Sequence, residues 1–186
     1  KLSKRLRKYF KKSRSLLSKS IEKLTEEEKE FVMDIAQKTW NFFRENLTEK
    51  NNYLPPDNFQ EDRVPKLVSR TSPTNIGLAL LAVISSYDLK FENLDNTINL
   101  LEKMINTITE LPKWNGHLYN WYDIKDLKPL EPKYVSSVDS GNFIGYLYVL
   151  KEFLEEIKYK TQNINNSISE ISNEKERKLY EVKENL

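Results

Sequence analysis

The chain has no cysteine and a single histidine among its 186 residues. Without cysteine there is no disulfide framework and no thiolate metal site, and one histidine excludes a zinc site made of several imidazoles. We therefore expect no metal and no cofactor. No run approaches the roughly 18 apolar residues that span a bilayer, and no signal peptide is recognisable. The sequence predicts a soluble segment.

Glycine is scarce as well, at four residues, while charged residues reach 31% and apolar residues 38% of the chain. A β-sandwich needs more glycine for its turns and carries less charge, so this composition favours an all-α fold. The chain begins at Lys1 rather than at methionine, and we expect it to be part of a longer protein.

Positive charge is concentrated at the start of the chain. The net charge is +2, but residues 1–20 hold nine basic residues and no acidic one. Such a cluster can contact nucleic acid or an anionic membrane, although a solvated helix is the more common outcome. We predict that residues 1–24 form a basic helix or linker, with no nucleic acid as a partner, and that residues 25–186 form the functional portion.

Apolar periodicity and capping signals predict four helices. Thr25 and Glu28 have the spacing of a capping box, while Ser72 and Pro73 supply an N-cap and a proline in the first helical position. The second and fourth helices are apolar around most of their circumference, whereas the first and third carry one apolar face. The predicted helices cover residues 26–46, 72–88, 94–110 and 140–158.

The order of these helices is outer, inner, outer, inner, which predicts part of an α/α toroid with about two and a half hairpins rather than a simple bundle. Residues 158–186 are expected to start a third outer helix or to fray. The long loops 47–71 and 112–138 both lead from an outer to an inner helix, so we expect them to meet at one face. The N-termini of the inner helices point to that face, where their free N–H groups suit hydroxyls and carboxylates.

The segment 114–123 holds two of the three tryptophans, the histidine and an aspartate. Sugars present apolar C–H faces and a rim of hydroxyls, which suits aromatic rings interleaved with polar side chains. The segment therefore predicts a carbohydrate-binding surface. The alternative is a loop whose rings plug a helical core, and the segment alone does not decide between the two.

Four strings in the predicted loops carry a family resemblance. They are LPPDNFQE at 54–61, RTSPTNIGL at 70–78, GHLYNWYD at 116–123 and YVSSVDSGN at 134–142. In this order they resemble the central glucoamylase-like domain of cyclic β-1,2-glucan synthases, in its N-terminal portion and over roughly residues 35–155. Several long strings at compatible spacing make the resemblance specific.

The resemblance implies a toroid of six hairpins that binds linear β-1,2-glucan and closes it into a ring by retaining transglycosylation. It also implies a parent protein embedded in the bacterial inner membrane through other segments, with this segment on the cytoplasmic side. Because the chain supplies less than half of such a ring, it requires the remaining part of the toroid and should be inactive alone. Two alternatives stay open: a noncatalytic carbohydrate-binding remnant, and a β-1,2-glucanase of the same architecture.

Asp139 is the candidate catalytic residue, since it starts an inner helix and should point into the mouth of the toroid. Its alternative role is a helix N-cap, which aspartate often fills. Retaining glycoside transfer requires two carboxyl groups about 5–5.5 Å apart. We expect at least one member of that pair to lie beyond Leu186.

The candidate substrate-binding residues come from the same loops and helix starts. Trp121 and Tyr122 are predicted to stack on sugar rings, with core packing as their alternative. For Arg70 the alternative is an ion pair with Asp57 or Glu61, and for the others it is a capping, turn or structural role. The full set is Arg70, Asn75, His117, Asn120, Trp121, Tyr122, Asp123 and Asn142.

Overall fold

The computed structural model describes residues 24–62 and 66–184, with side chains through residue 165. The predicted basic helix or linker of residues 1–24 therefore lies outside the described residues, apart from Leu24. None of the helices in the described part of the chain has an apolar stretch long enough to cross a lipid bilayer. The helices found there are α1 (Glu26–Asn46), α2 (Pro73–Asp88), α3 (Leu94–Glu110) and α4 (Ser137–Glu184), with a short 3₁₀ helix at Glu49–Asn51.

The helix α1 belongs to a structural unit of its own, which ends at Glu45. The predicted capping box closes its N-terminus: the Thr25 N–H donates to Glu28 Oε2 at 2.8 Å, and the Glu28 N–H donates to Thr25 Oγ1 at 3.2 Å. An exposed ion pair one turn apart, Lys38 with Asp34 at 2.6 Å, adds a smaller contribution. The predicted bounds of this helix, 26–46, are confirmed.

The second unit contains the other three helices, and α2 lies at its core. Ser72 caps α2 by accepting from the Asn75 N–H at 3.2 Å, and Pro73 takes the first helical position, as predicted. Eight of the 16 residues of α2 are buried, against five of the 17 in α3. The helix α3 buries one face around Met104 and exposes the other, so the inner and outer assignments of these two helices agree with their burial.

The helices α2 and α4 run parallel and pack along each other over the length of α2. The contacts that mark the pairing are, from N- to C-terminus, Thr74 with Asp139, Gly77 with Tyr146, and Tyr87 with Phe153. A Cβ atom at Gly77 would overlap the Cδ2 atom of the Tyr146 ring, so glycine at this position allows the close approach. The N-termini of α2 and α4 thus lie side by side at one face, as the loop lengths predicted.

The helix α4 departs from its predicted bounds of 140–158. It begins at Ser137 and continues without interruption to Glu184, so residues 158–184 neither start a third outer helix nor fray. The expected half hairpin is instead a continuation of the second inner helix. No proline or glycine follows Gly145 to end the helical run, which is the local reason why it continues.

The burial of α4 also differs from the expectation for an inner helix, because it is less buried than α3. Leu150 and Phe153 are buried. The apolar and aromatic residues of α4 that are exposed are Val138, Ile144, Tyr148, Leu154, Tyr159 and Ile164. Among the described elements α2 is the one that packs along α4, which covers one side of the helix and leaves its other apolar side in solvent.

Short antiparallel ribbons organise the two long loops, for which the sequence predicted no secondary structure. They pair β1 (Phe59–Gln60) with β2 (Lys66–Leu67), β3 (Arg70–Thr71) with β6 (Tyr122–Asp123), and β4 (Lys113–Trp114) with β5 (His117–Leu118). The β3–β6 ribbon joins the first long loop to the second, with Arg70 opposite Asp123. This pairing brings the functional candidates of both loops to the N-termini of α2 and α4.

Candidate functional site

Polar and aromatic side chains from both long loops meet at the N-termini of α2 and α4. Hydrogen bonds and one contact between a cation and a ring connect every member of the set. Five of its eight members are residues that the sequence predicted. We call the set the polar cluster, and it consists of Asp57, Arg70, Thr74, Asn75, Asn120, Trp121, Tyr134 and Asp139.

Asp57 holds one end of the polar cluster. Its Oδ2 accepts from Arg70 Nε and Nη2 at 3.2 and 3.1 Å, and its Oδ1 accepts from Asn75 Nδ2 at 3.1 Å. The Arg70 guanidinium, held in this way, lies 4.1 Å from the centre of the Trp121 ring in a cation–π contact. Arg70 therefore makes the ion pair with Asp57 that was considered as its alternative role, and it also covers one face of Trp121.

Asn120 is the buried centre of the polar cluster, with 6% of its surface exposed. With its amide oriented to satisfy its neighbours, the nitrogen donates to Asp139 Oδ2 at 2.9 Å. The oxygen then accepts from Trp121 Nε1 and from the Tyr134 hydroxyl, each at 2.8 Å. These bonds take up the oxygen and one N–H of the amide, so Asn120 orients Asp139 and Trp121. The role that the sequence predicted for it, as a partner of a sugar hydroxyl, stays a prediction.

Asp139 lies in the first turn of α4 but does not cap it. The cap is Ser136, whose Oγ accepts from the Asp139 N–H at 3.2 Å. The Asp139 carboxylate instead accepts from Thr74 Oγ1 at 2.7 Å and from Asn120. Asn142 reaches the same Thr74 hydroxyl at 3.5 Å, at the long end of a hydrogen bond. The capping alternative for Asp139 is therefore wrong, and its charge faces α2 and the loops.

The composition of the polar cluster suits a polyhydroxyl ligand. It joins two partly buried carboxylates, a guanidinium that is 45% exposed and an indole ring. Carboxylates accept from hydroxyls and the guanidinium donates to them, while the partly exposed Trp121 ring is of the kind that stacks on an apolar C–H surface. Within the described residues, no group of three or more histidine and carboxylate side chains is arranged to hold a metal ion.

Tyr122 lies in the core, contrary to its prediction as a stacking platform. Its ring is completely buried. Its hydroxyl donates to the Pro112 carbonyl at 2.7 Å and accepts from the Tyr119 N–H at 2.7 Å. Burial raises the pKa of Tyr122 from 10.0 to about 12, against the opposing effect of the Tyr119 N–H. The ring thus supports the loop that presents Trp121, which was its alternative role.

Replacing Tyr122 with phenylalanine is expected to lower the free energy of unfolding by about 1 kcal/mol at neutral pH, since it leaves two part-buried backbone groups without their hydroxyl partner. The folded state binds the Tyr122 proton more tightly than the unfolded chain, because its folded pKa is about 12 rather than 10.0. The protonated Tyr122 hydroxyl therefore contributes its full share to the free energy of unfolding below pH 10, and this share is lost as the pH rises towards 12. Urea denaturation between pH 10 and pH 12 should show that the difference in the free energy of unfolding between wild type and variant becomes smaller as the pH rises. A constant difference would contradict the prediction.

Two further candidates lie outside the polar cluster. Asp123 Oδ1 accepts from the Lys125 N–H at 2.7 Å, which is the hydrogen bond of a turn and agrees with the alternative role of this residue. His117 lies in β5 with an exposed side chain, opposite Trp114. Among the described residues, neither side chain takes part in the hydrogen bonds that hold the polar cluster together.

Thr74 and Tyr134 belong to the polar cluster although the sequence analysis did not select them. Both lie within the strings that carry the family resemblance. Their partners are distant along the chain: 65 residues separate Thr74 from Asp139, and 14 residues separate Tyr134 from Asn120. Membership in those strings was the available signal, because no local pattern distinguishes these hydroxyls from others in the chain.

The chain is similar in sequence to a bacterial glucan synthase. It is 47% identical over 133 residues to the cyclic β-(1,2)-glucan synthase NdvB of Rhizobium meliloti (strain 1021). The match covers 72% of this chain and 5% of the synthase, so the chain corresponds to a small part of that protein. No protein-family profile matches the chain. The resemblance to the glucoamylase-like domain of cyclic β-1,2-glucan synthases is confirmed.

The fold is similar to that of a solved protein assigned as a glucoamylase, from Bacteroides fragilis NCTC 9343. The TM-score is 0.54 and the sequence identity 14%, with 63% of this chain and 29% of that chain covered. At this identity the similarity concerns the fold alone. It confirms the predicted fold class, an all-α chain that forms part of an α/α toroid.

Proposed function

We propose that the chain is the N-terminal portion of a carbohydrate-active domain that binds linear β-1,2-glucan at the polar cluster. In the complete domain, the bound glucan is closed into a ring by retaining transglycosylation. The observation that carries this proposal is the polar cluster, with its partly exposed indole, guanidinium and carboxylates. The 47% identity to a cyclic β-(1,2)-glucan synthase supports the choice of glucan.

Binding at the polar cluster relies on one ring and two charged groups. A glucosyl residue stacks on the partly exposed Trp121 ring, and Arg70 and Asp139 contact its hydroxyls. Asp57 and Asn120 hold these groups in place, because Asp57 pairs with Arg70 and Asn120 hydrogen-bonds to both Asp139 and Trp121. Such preorganisation reduces the entropy that a sugar-binding site loses on binding.

For the reaction, Asp139 is the candidate catalytic carboxylate. Asp57 forms an ion pair with the Arg70 guanidinium and also accepts from Asn75, so its charge is already paired and it serves as a positioning residue. Asp139 accepts from two neutral donors and lies at a helix N-terminus, where a negative charge is favoured. The second carboxyl group of a retaining pair, about 5–5.5 Å away, is supplied by the remaining part of the toroid.

The context of the parent protein is part of the same proposal. Other segments embed the parent in the bacterial inner membrane, and this domain lies on the cytoplasmic side with residues 1–24 as a linker.

A β-1,2-glucanase of the same architecture differs in its acceptor, since water replaces a hydroxyl of the glucan itself. A noncatalytic binding module is the second alternative, and the hydrogen bonds that already engage both carboxylates are the observation that favours it.

The 186-residue chain is expected to bind linear β-1,2-glucan, and Trp121→Ala should weaken that binding about tenfold, because the stacking surface is lost. Trp121→Phe keeps a ring at this position and should retain most of the affinity. Calorimetric titration of both variants with glucan, beside thermal unfolding, measures the effect. Equal affinity of Trp121→Ala and wild type, or failure of wild type to bind, would contradict the proposal.

A further inference from the structure

The β4–β5 hairpin between α3 and the polar cluster has a two-residue turn. Asn115 and Gly116 occupy this turn with φ of 46° and 83°, the left-handed backbone that such a hairpin requires. The register places Lys113 opposite Leu118 and Trp114 opposite His117. The hairpin therefore has two faces, one formed by each cross-strand pair.

The face formed by Lys113 and Leu118 is anchored to the rest of the unit. Leu118 is buried, with 5% of its surface exposed. Lys113 Nζ donates to the carbonyls of Ile108, Thr109 and Leu111, each at 2.9 Å. These carbonyls belong to the C-terminal end of α3, where a cation is favoured. The hairpin is consequently held rigidly by one of its faces.

The face formed by Trp114 and His117 points into solvent. Trp114 is 55% exposed, and His117 is exposed beside it. Side chains of a cross-strand pair have Cβ atoms about 4.5–5.5 Å apart, so the indole and the imidazole are neighbours. A large ring held rigidly in solvent, next to a group that both donates and accepts hydrogen bonds, has the composition of a sugar-stacking surface.

The chain also limits how far this surface can lie from the polar cluster. Two residues separate His117 from Asn120, and three extended residues span at most about 11 Å. A glucan that extends past the polar cluster by a few glucosyl residues is therefore long enough to reach the hairpin. A glucan too short to extend beyond the polar cluster occupies that site alone, whereas a longer one can occupy both places.

We propose that Trp114 and His117 form a second glucan-binding platform that holds a distal part of the same β-1,2-glucan chain. Trp114 stacks on a glucosyl ring and His117 contacts its hydroxyls. The platform makes the affinity of the chain depend on glucan length, because a second contact on one ligand acts at a high effective concentration. This inference rests on the proposed function, since the polar cluster must bind the first part of the glucan.

The test compares short and long linear β-1,2-gluco-oligosaccharides by calorimetric titration of the 186-residue chain. We expect wild type to bind the long ligand more tightly than the short one. Trp114→Ala should lower the affinity for the long ligand about tenfold and leave the affinity for the short ligand unchanged. Trp114→Phe should preserve most of the length dependence. Tyr159→Ala is the matched control: Tyr159 is an aromatic residue that is 66% exposed, and it lies about 30 Å along α4 from Asp139.

Two outcomes would overturn the platform. The first is equal affinity of wild type for the short and the long ligand. The second is an equal loss of affinity for both ligands in Trp114→Ala. If wild type binds the short ligand but shows no length dependence, the platform fails and the proposed function survives. If wild type binds neither ligand, the proposed function fails and the platform fails with it.

Discussion

Replacing Gly77 with alanine is expected to lower the free energy of unfolding by about 1–3 kcal/mol, the usual cost of inserting a methyl group into a filled space. The new Cβ would overlap the Cδ2 atom of the Tyr146 ring, so the ring must move or the helices must separate. Separation of α2 from α4 would also lengthen the Thr74–Asp139 hydrogen bond. Chemical denaturation measures the loss, and glucan titration measures the accompanying loss of binding.

The chain offers matched controls for this substitution. Alanine at Gly141 or Gly145 meets no atom within 4 Å, and both positions lie in α4. There the higher helix propensity of alanine should raise stability by about 0.5–1 kcal/mol. Shortening Tyr146 to alanine in the Gly77→Ala background should recover part of the loss. If Gly77→Ala is as stable as the Gly145→Ala control, the close packing of α2 on α4 is refuted.

Replacing Asp139 with asparagine in the complete glucan-processing domain is expected to lower the turnover of linear β-1,2-glucan by about 10²–10⁴-fold, the range typical of a lost acid or base. Asparagine keeps the size of the side chain and an oxygen that accepts from Thr74, so folding should be retained. The comparison of turnover with the thermal midpoint separates a catalytic from a structural role. A variant with normal turnover would return Asp139 to a structural role.

Ser136 provides the control that separates capping from chemistry. It caps α4 through its hydroxyl, so Ser136→Ala should cost about 1 kcal/mol of stability and leave turnover nearly unchanged. Asp139→Asn should show the reverse order, with a small loss of stability and a large loss of turnover. Equal effects of the two variants on turnover would indicate that both act through the stability of the α4 N-terminus.

The helices were predictable because their determinants are local. The Thr25–Glu28 capping box and the Ser72–Pro73 start each lie within four residues of the helix that they begin, so the bounds of α1 and α2 could be predicted to within one residue. The all-round apolar pattern of α2 also predicted its burial, since such a helix must be surrounded by protein. The family strings identified the loops that carry the polar cluster.

The tertiary structure decided what depends on distant partners. The β3–β6 ribbon joins residues about 50 positions apart, and it determines that Tyr122 faces the core while its neighbour Trp121 reaches Arg70. In the same way, Asp139 faces Thr74 because Ser136 takes the cap. Periodicity and spacing alone leave each of these choices open. A ring in a loop can face the core or the surface, and a carboxylate near a helix start can cap that helix or contact another element. Long-range pairing selects one option by satisfying the buried polar groups.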